Sequence, residues 1–344
     1  MLNKFKKDIN KNIDAFIRRL KTDKDFFPFP AVLISSIGDF LKSNGKRIRP
    51  ALFMLAYLGY AKKRSSYKKL VNAAFSMELL HDFLLIHDDV IDNADLRRGK
   101  LSLHRSFNKK FNAPLSDPLG PNLSIVAGDI IFALSINALL EMEGDAVLKE
   151  KAVKIFVKTA AATGIGEYID VVNNRRKIDS VREKEIMHMY TMKTAKYTFA
   201  APLLIGAALA GAGEKELKKL SRLGVCLGQA FQIQDDLLDV FSTTEKIGKP
   251  ILSDLNEGKK TLLIWKTYRR AAAADKKRIK LILSKNKKTY NDLVEIRKLI
   301  KRYGADRYCL DIVSSLIREV GVICRGLKMR NEYRDALLEF VRSF

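Results

Sequence analysis

Two nine-residue stretches carry the residues best suited to chemistry: Leu84-Leu85-Ile86-His87-Asp88-Asp89-Val90-Ile91-Asp92 and, 147 residues further on, Phe231-Gln232-Ile233-Gln234-Asp235-Asp236-Leu237-Leu238-Asp239. Each is an apolar run holding two adjacent aspartates and a third four residues after the first. On a helix Asp88 and Asp92 share a face about 5–6 Å apart, and so do Asp235 and Asp239. Carboxylates at that spacing repel unless a cation lies between them, and apolar flanks make uncompensated charge costly. Aspartate oxygens without cysteine partners suit a hard ion such as Mg²⁺, which takes one or two carboxylates from a protein and completes its shell with water and phosphate oxygens. A single cluster would be an ordinary charged helix patch about as often as a site. Two in equivalent apolar settings point to a clamp for a metal-bound diphosphate.

Cations stand where such a substrate would need them. Gly45-Lys46-Arg47-Ile48-Arg49-Pro50 places three in four positions at the start of an apolar helix expected over about 51–61, where positive charge opposes the helix dipole. An anion would resolve that conflict. Arg97-Arg98 follows the first aspartate cluster and is suited to gripping phosphate oxygens bidentately.

The elements that must position these residues read as helices throughout. Apolar spacing predicts helices over about 4–21, 31–42, 68–92, 122–142, 145–173 and 213–241, with further helical segments between basic turns over 260–342. Small residues over 199–212 suggest close helix packing. The stretch 99–121, with Pro114, Pro118 and Pro121, reads as a long polar loop and a candidate lid. No persuasive period-2 alternation occurs, so the fold class is all-α, in a single domain over 1–344.

The net charge of +24 implies attraction to polyanions. A nucleic-acid binder would leave the aspartates unexplained and no recognised module occurs, so nucleic acid is not expected as a partner. Cys226, Cys309 and Cys324 form no CxxC pair and read as buried or free thiols of a reducing compartment. Neither a signal peptide nor an apolar run approaching the roughly 20 residues of a membrane span is expected. The expected location is the cytoplasm, with at most peripheral membrane contact.

Together the motifs from about residue 40 to 262 resemble the trans-isoprenyl diphosphate synthases, the polyprenyl synthetase family, and specifically the short-chain archaeal type of geranylgeranyl diphosphate synthase. The resemblance implies a bundle of roughly a dozen helices around a central cavity, usually a homodimer. It also implies the reaction. An allylic diphosphate ionises, the double bond of isopentenyl diphosphate attacks the cation, and a proton is lost, with the leaving diphosphate as acceptor. Carried over, Asp88 and Asp92 would hold two Mg²⁺ ions, and Asp235, with Asp239, a third. Arg97, Lys193, Lys249 and Lys259 would grip the allylic diphosphate. Lys46, Arg49, His81 and Arg98 would bind isopentenyl diphosphate. Thr194 and Gln232 would line the region of the cation, Asp170 and Tyr197 would support it, and His87 would stand behind the aspartates. Asn44 replaces a glycine usual in the family, Leu101-Ser102 replace Pro-Thr, and Glu167 stands where glutamine is common.

Product length follows from the cavity wall. At 1.5 Å per residue Phe83 lies about 7.5 Å along the helix from Asp88, so its ring, with Leu84 beside it, is the expected floor for the growing chain. An aromatic at the fifth position before the first aspartate resembles the archaeal C20 enzymes; a C15 farnesyl diphosphate synthase is the alternative. A terpene cyclase fits less well, because its second metal motif differs from a second DDxxD. A non-catalytic regulatory subunit would be expected to lose one cluster, and neither is lost.

Overall fold

The computed structural model describes residues 1–25, 28–62, 65–241 and 253–344. Among them the chain is helical apart from turns, short connections and one two-stranded hairpin pairing Leu96–Arg97 with Lys100–Leu101, so the all-α expectation holds. The described residues form two compact units. One comprises Met1–Ile155, Pro202–Gly213 and Met329–Ala336; the other comprises Phe156–Ala201, Glu214–Lys328 and Leu337–Phe344.

The first unit is built on the helix Tyr67–Ile91, whose residues from Leu70 to Asp82 are all buried. A helix buried on every side must be enclosed by others. Here Ile48–Tyr60, Leu119–Leu140 and Leu2–Thr22 enclose it, the last turning Phe5, Ile9, Ile13, Phe16 and Leu20 inward at helical spacing. Gly128 permits the approach of Leu119–Leu140, since a Cβ there would overlap the His87 ring.

Two expectations are corrected in this unit. The segment 99–121 is not a loop throughout: Leu103–Lys110 is helical and buries Leu103, His104, Arg105, Phe107 and Asn108. Arg105 bonds to Asp95 at 2.7 Å and to Asn93 at 3.0 Å, while Asn108 holds the carbonyls of Pro114 and Asp117 at 3.0 and 3.2 Å. The Asn108 amide thereby satisfies two carbonyls of the turn. Second, Leu119–Leu140 is long and apolar enough to cross a membrane by length and composition. Glycine, serine and asparagine interrupt the apolar residues without lowering the average enough.

The second unit packs Tyr190, Ile233, Leu263, Trp265, Ile279, Ile296 and Cys309 into one core, with the Trp265 indole donating to the Val181 carbonyl at 2.8 Å. Its central helix, Glu214–Phe241, lies against a ten-residue π-helix, Thr191–Ala200. Gly224 and Gly228 allow that contact, because a Cβ at either would overlap Ala200 or Ala195. Cys226, Cys309 and Cys324 are free and buried, as expected; burial pushes the Cys309 thiol up to about 12.

Candidate active site

In the first unit the helix bearing the first cluster ends at Ile91, and the Asp92 amide donates to the Asp88 carbonyl at 2.8 Å. Asp88 and Asp92 are therefore one helical turn apart on one face, as the spacing predicts. Asp89 behaves differently. It is fully buried and receives the Arg97 guanidinium, whose Nε lies 2.6 Å from it, while Arg97 Nη2 reaches Asp88 at 3.1 Å. The two carboxylates hold the Arg97 pKa above its ordinary value, against the opposing effect of burial.

Arg97 and Arg98 are adjacent yet serve different groups. Arg98 (φ 53°) and Gly99 (φ 75°) form the two-residue turn of the hairpin, both left-handed. Arg98 then donates to Ser43 Oγ at 2.8 Å and reaches His81 Nε2 at 3.4 Å. Burial first, then the charges of Arg49, Arg98, Arg97 and Arg47, hold the His81 pKa well below its usual value, so the ring is neutral and accepts from Arg98. His81, Arg98 and Ser43 thus meet, with Arg49 in the first turn of Ile48–Tyr60 and Lys46 exposed in the preceding loop.

Arg47, the middle cation of that loop, is turned inward. At φ 53° its side chain enters the unit and pairs with Glu78 at 2.6 Å, both side chains 2% exposed. It also donates to the Leu41 and Ser43 carbonyls at 2.8 and 3.0 Å and to Asn10 at 3.0 Å. Arg47 is the brace of the loop that carries Lys46 and Ser43. Phe83 packs its ring 5.0 Å from Phe132 and 4.7 Å from His87. His87 lies 3.2 Å from the Ile125 carbonyl, directed at the helix behind the aspartates.

In the second unit Asp235 is exposed, Asp239 partly buried and Asp236 buried. Asp236 accepts from Tyr190 OH and, at 3.0 Å, from Gln232 Nε2. Tyr190 in turn accepts the Leu262 amide at 2.9 Å. Thr194 donates to Gln232 Oε1 at 2.7 Å, so Thr194, Gln232 and Asp236 form one chain of hydrogen bonds. The π-helix also places Lys193, which pairs with Asp170 at 2.7 Å and Glu167 at 2.8 Å. Lys259 pairs with Glu257 at 2.5 Å and lines a small pocket with Asp236 and Asp239. Tyr197 lies partly buried on the π-helix. Lys249 lies outside the described residues.

The structure thus gathers Arg49, His81, Arg97, Arg98, Asp88 and Asp92 in one unit and Lys193, Thr194, Gln232, Asp235, Asp239 and Lys259 in the other. Sequence reasoning missed the anchors: Arg47, Asp89, Asp236 and Tyr190. A signal existed for two of them. Asp89 follows buried Ile86 by three residues, and Asp236 stands three after Ile233 and four before Val240, so both sit on the inward stripe of their helices.

Mg²⁺ fits this donor set, because each cluster offers two aspartates on one face while its middle aspartate is committed elsewhere. Among the described residues no three His, Cys, Asp or Glu side chains converge to enclose an ion. An ion at either cluster would complete its shell with water and phosphate oxygens.

A profile of the polyprenyl synthetase family matches residues 30–300. A short chain isoprenyl diphosphate synthase of Methanothermobacter thermautotrophicus is 32% identical over 84% of this chain and 82% of its own length. The geranylgeranyl diphosphate synthase of Sulfolobus acidocaldarius is 33% identical over 88% of this chain and 86% of its own. Among solved structures, the geranylgeranyl pyrophosphate synthase of Corynebacterium glutamicum, complexed with isoprenyl diphosphate and magnesium, aligns with a TM-score of 0.89 and 26% identity over 99% of this chain and 98% of its own.

Proposed function

The chain belongs to the polyprenyl synthetase family, and from that premise we propose that it condenses isopentenyl diphosphate with allylic diphosphates, head to tail, to give geranylgeranyl diphosphate. The observation that carries this reading is the divergence of Arg97 and Arg98 at one turn: the first goes to the aspartates, the second to His81 and Ser43. Two adjacent cations thereby serve two diphosphates, as a two-substrate prenyltransferase requires.

Lys46, Arg49, Arg98 and neutral His81 bind isopentenyl diphosphate. For the allylic diphosphate the first unit supplies Arg97, with Asp88 and Asp92 as metal ligands; the second supplies Lys193 and Lys259, with Asp235 and Asp239 as metal ligands; and the family resemblance adds Lys249. Those aspartates would hold magnesium, which when bound would supply neutralisation of the charge developing on the departing diphosphate. The arginines and lysines share that task, and their effect is greatest where water is excluded. Thr194 and Gln232, fixed through Asp236, present oxygen dipoles to the allylic cation. The leaving diphosphate takes the proton released on bond formation. A C20 product is supported by the geranylgeranyl diphosphate synthases among the relatives and by the Phe83–Phe132 pair as a bulky wall.

The family profile spans residues of both units, which supports one catalytic domain. The helix Leu119–Leu140 exposes Ile125 and Val126, and this apolar face is the proposed seam of a homodimer. The reduced, buried cysteines fit a cytoplasmic enzyme. The test is incubation with isopentenyl diphosphate, each of the C5, C10 and C15 allylic diphosphates and Mg²⁺, with product length read after dephosphorylation. A chelator-sensitive C20 product is expected. A C15 product would overturn the length assignment, and no condensation by folded protein would overturn the function.

A further inference from the structure

Lys193 is held between two carboxylates, Asp170 at 2.7 Å and Glu167 at 2.8 Å, with the lysine and glutamate side chains 20% and 19% exposed. Gly166 makes this contact possible. A Cβ there would overlap the Lys193 backbone, so the helix Ala146–Arg175 approaches the π-helix without a side chain between them. Glu167 and Asp170, three residues apart, fall on one face. Within the trio one ammonium faces two carboxylates, with Lys260 as a further cation near Asp170, so the Lys193 charge is already engaged before any anion arrives.

The two carboxylates are not equivalent. Asp170 has a short side chain, only 7% exposed, and can do little but orient the lysine. Glu167 has a longer side chain, is more exposed, and can swing away. We infer that Glu167 is a latch on Lys193: it competes with the allylic diphosphate for the ammonium and so sets how tightly that substrate binds. Glu167 is then a positioning residue that acts through Lys193. The inference rests on the reading of Lys193 as an allylic diphosphate ligand. A diphosphate that displaces Glu167 gains the lysine but must overcome the repulsion of the released carboxylate. Glutamine at the same position would keep the side-chain shape and remove that charge.

The experiment compares wild type, Glu167→Gln and Glu167→Asp in two assays. In steady-state prenyl transfer, Glu167→Gln is expected to lower KM for the allylic diphosphate roughly 3- to 10-fold, the scale of removing one partly screened charge a few ångströms away. KM for isopentenyl diphosphate and kcat should change less than about twofold. Glu167→Asp, which keeps the charge, should restore the wild-type KM. In calorimetric titration with inorganic pyrophosphate and Mg²⁺, which needs no turnover, Glu167→Gln should bind tighter by a similar factor. A wild-type protein that binds pyrophosphate yet forms no prenyl product would sink the proposed function alone, and the titration would still judge the latch. Pyrophosphate binding unchanged or weakened in Glu167→Gln, or a fall in kcat at constant KM, would overturn the latch. If the glutamine variant does not fold, Glu167→Ala carries the same expectation.

Discussion

Replacing Arg47 by methionine tests whether this cation is a brace or a ligand. The Arg47–Glu78 pair is 2.6 Å long, with each side chain 2% exposed, so the substitution leaves a carboxylate buried without its cation. Removing one partner of such a pair costs about 3–5 kcal/mol. The Leu41 and Ser43 carbonyls and Asn10 lose a donor as well, although these losses share one side chain and do not simply add. At about 2.1 cal/mol/K of unfolding entropy per residue, a domain of 344 residues shifts by about 1.4 °C per kcal/mol, so Tm should fall by about 4–7 °C. A double variant, Arg47→Met with Glu78→Leu, should recover at least half of that, because replacing both members of a buried pair by apolar groups is far cheaper than replacing one. Differential scanning calorimetry of the three proteins measures both quantities. KM for isopentenyl diphosphate should rise in the single variant as a secondary effect, through the loosened loop that presents Ser43 to Arg98. An Arg47→Met protein that melts with the wild type but has a raised isopentenyl KM would refute the reasoning and make Arg47 a substrate ligand.

Three further outcomes are expected. Phe83→Ser removes a ring packed against Phe132 and His87 and should lengthen the products; an unchanged chain-length distribution would reject the floor. Asp236→Asn should lower stability by about 1–3 kcal/mol, since a buried acceptor of the Tyr190 and Gln232 donors is altered. Asp235→Asn, at an exposed position, should leave Tm unchanged and raise the Mg²⁺ concentration needed for activity; equal melting losses in both would contradict the division of labour. Burial holds the His104 pKa down to about 4, whereas in the unfolded chain it titrates near its ordinary value of about 6.5. Its contribution is therefore fully present above about pH 6.5 and is lost as the pH falls toward 4, and His81 acts in the same direction. His104→Gln should flatten the acid slope of the urea midpoint between pH 7 and pH 5, and a slope equal to wild type would count against this.

Hydrophobic period carried most of what was legible in the sequence. Leu2–Thr22 was readable because its apolar residues recur at helical spacing, Tyr67–Ile91 and Leu119–Leu140 because they are long apolar-rich runs, and Asp88 with Asp92 fell on one face because four residues make about one helical turn. What stayed hidden depended on contacts distant in the chain. Nothing local distinguishes Arg47 from Lys46 or Arg49; only the packing of Tyr67–Ile91 against the loop shows that Glu78, 31 residues on, takes it inward. The helix Leu103–Lys110 was concealed by the prolines that follow it, and the π-helix has no spacing signature of its own. The left-handed turn at Arg98 and Gly99, which parts the two arginines, was visible only in the folded chain.

The burial of the middle aspartate in each cluster bears on how this motif would erode. Asp89 and Asp236 hold Arg97 and Tyr190 in place, so they contribute to the folded state whether or not the enzyme turns over. A descendant that gave up catalysis but kept its shape could shed Asp88, Asp92, Asp235 and Asp239 and would still retain those two. A sequence keeping only the central aspartate of each triplet should accordingly be scored as a folded relic, and partial matches to the motif weighed by which aspartate survives rather than by how many.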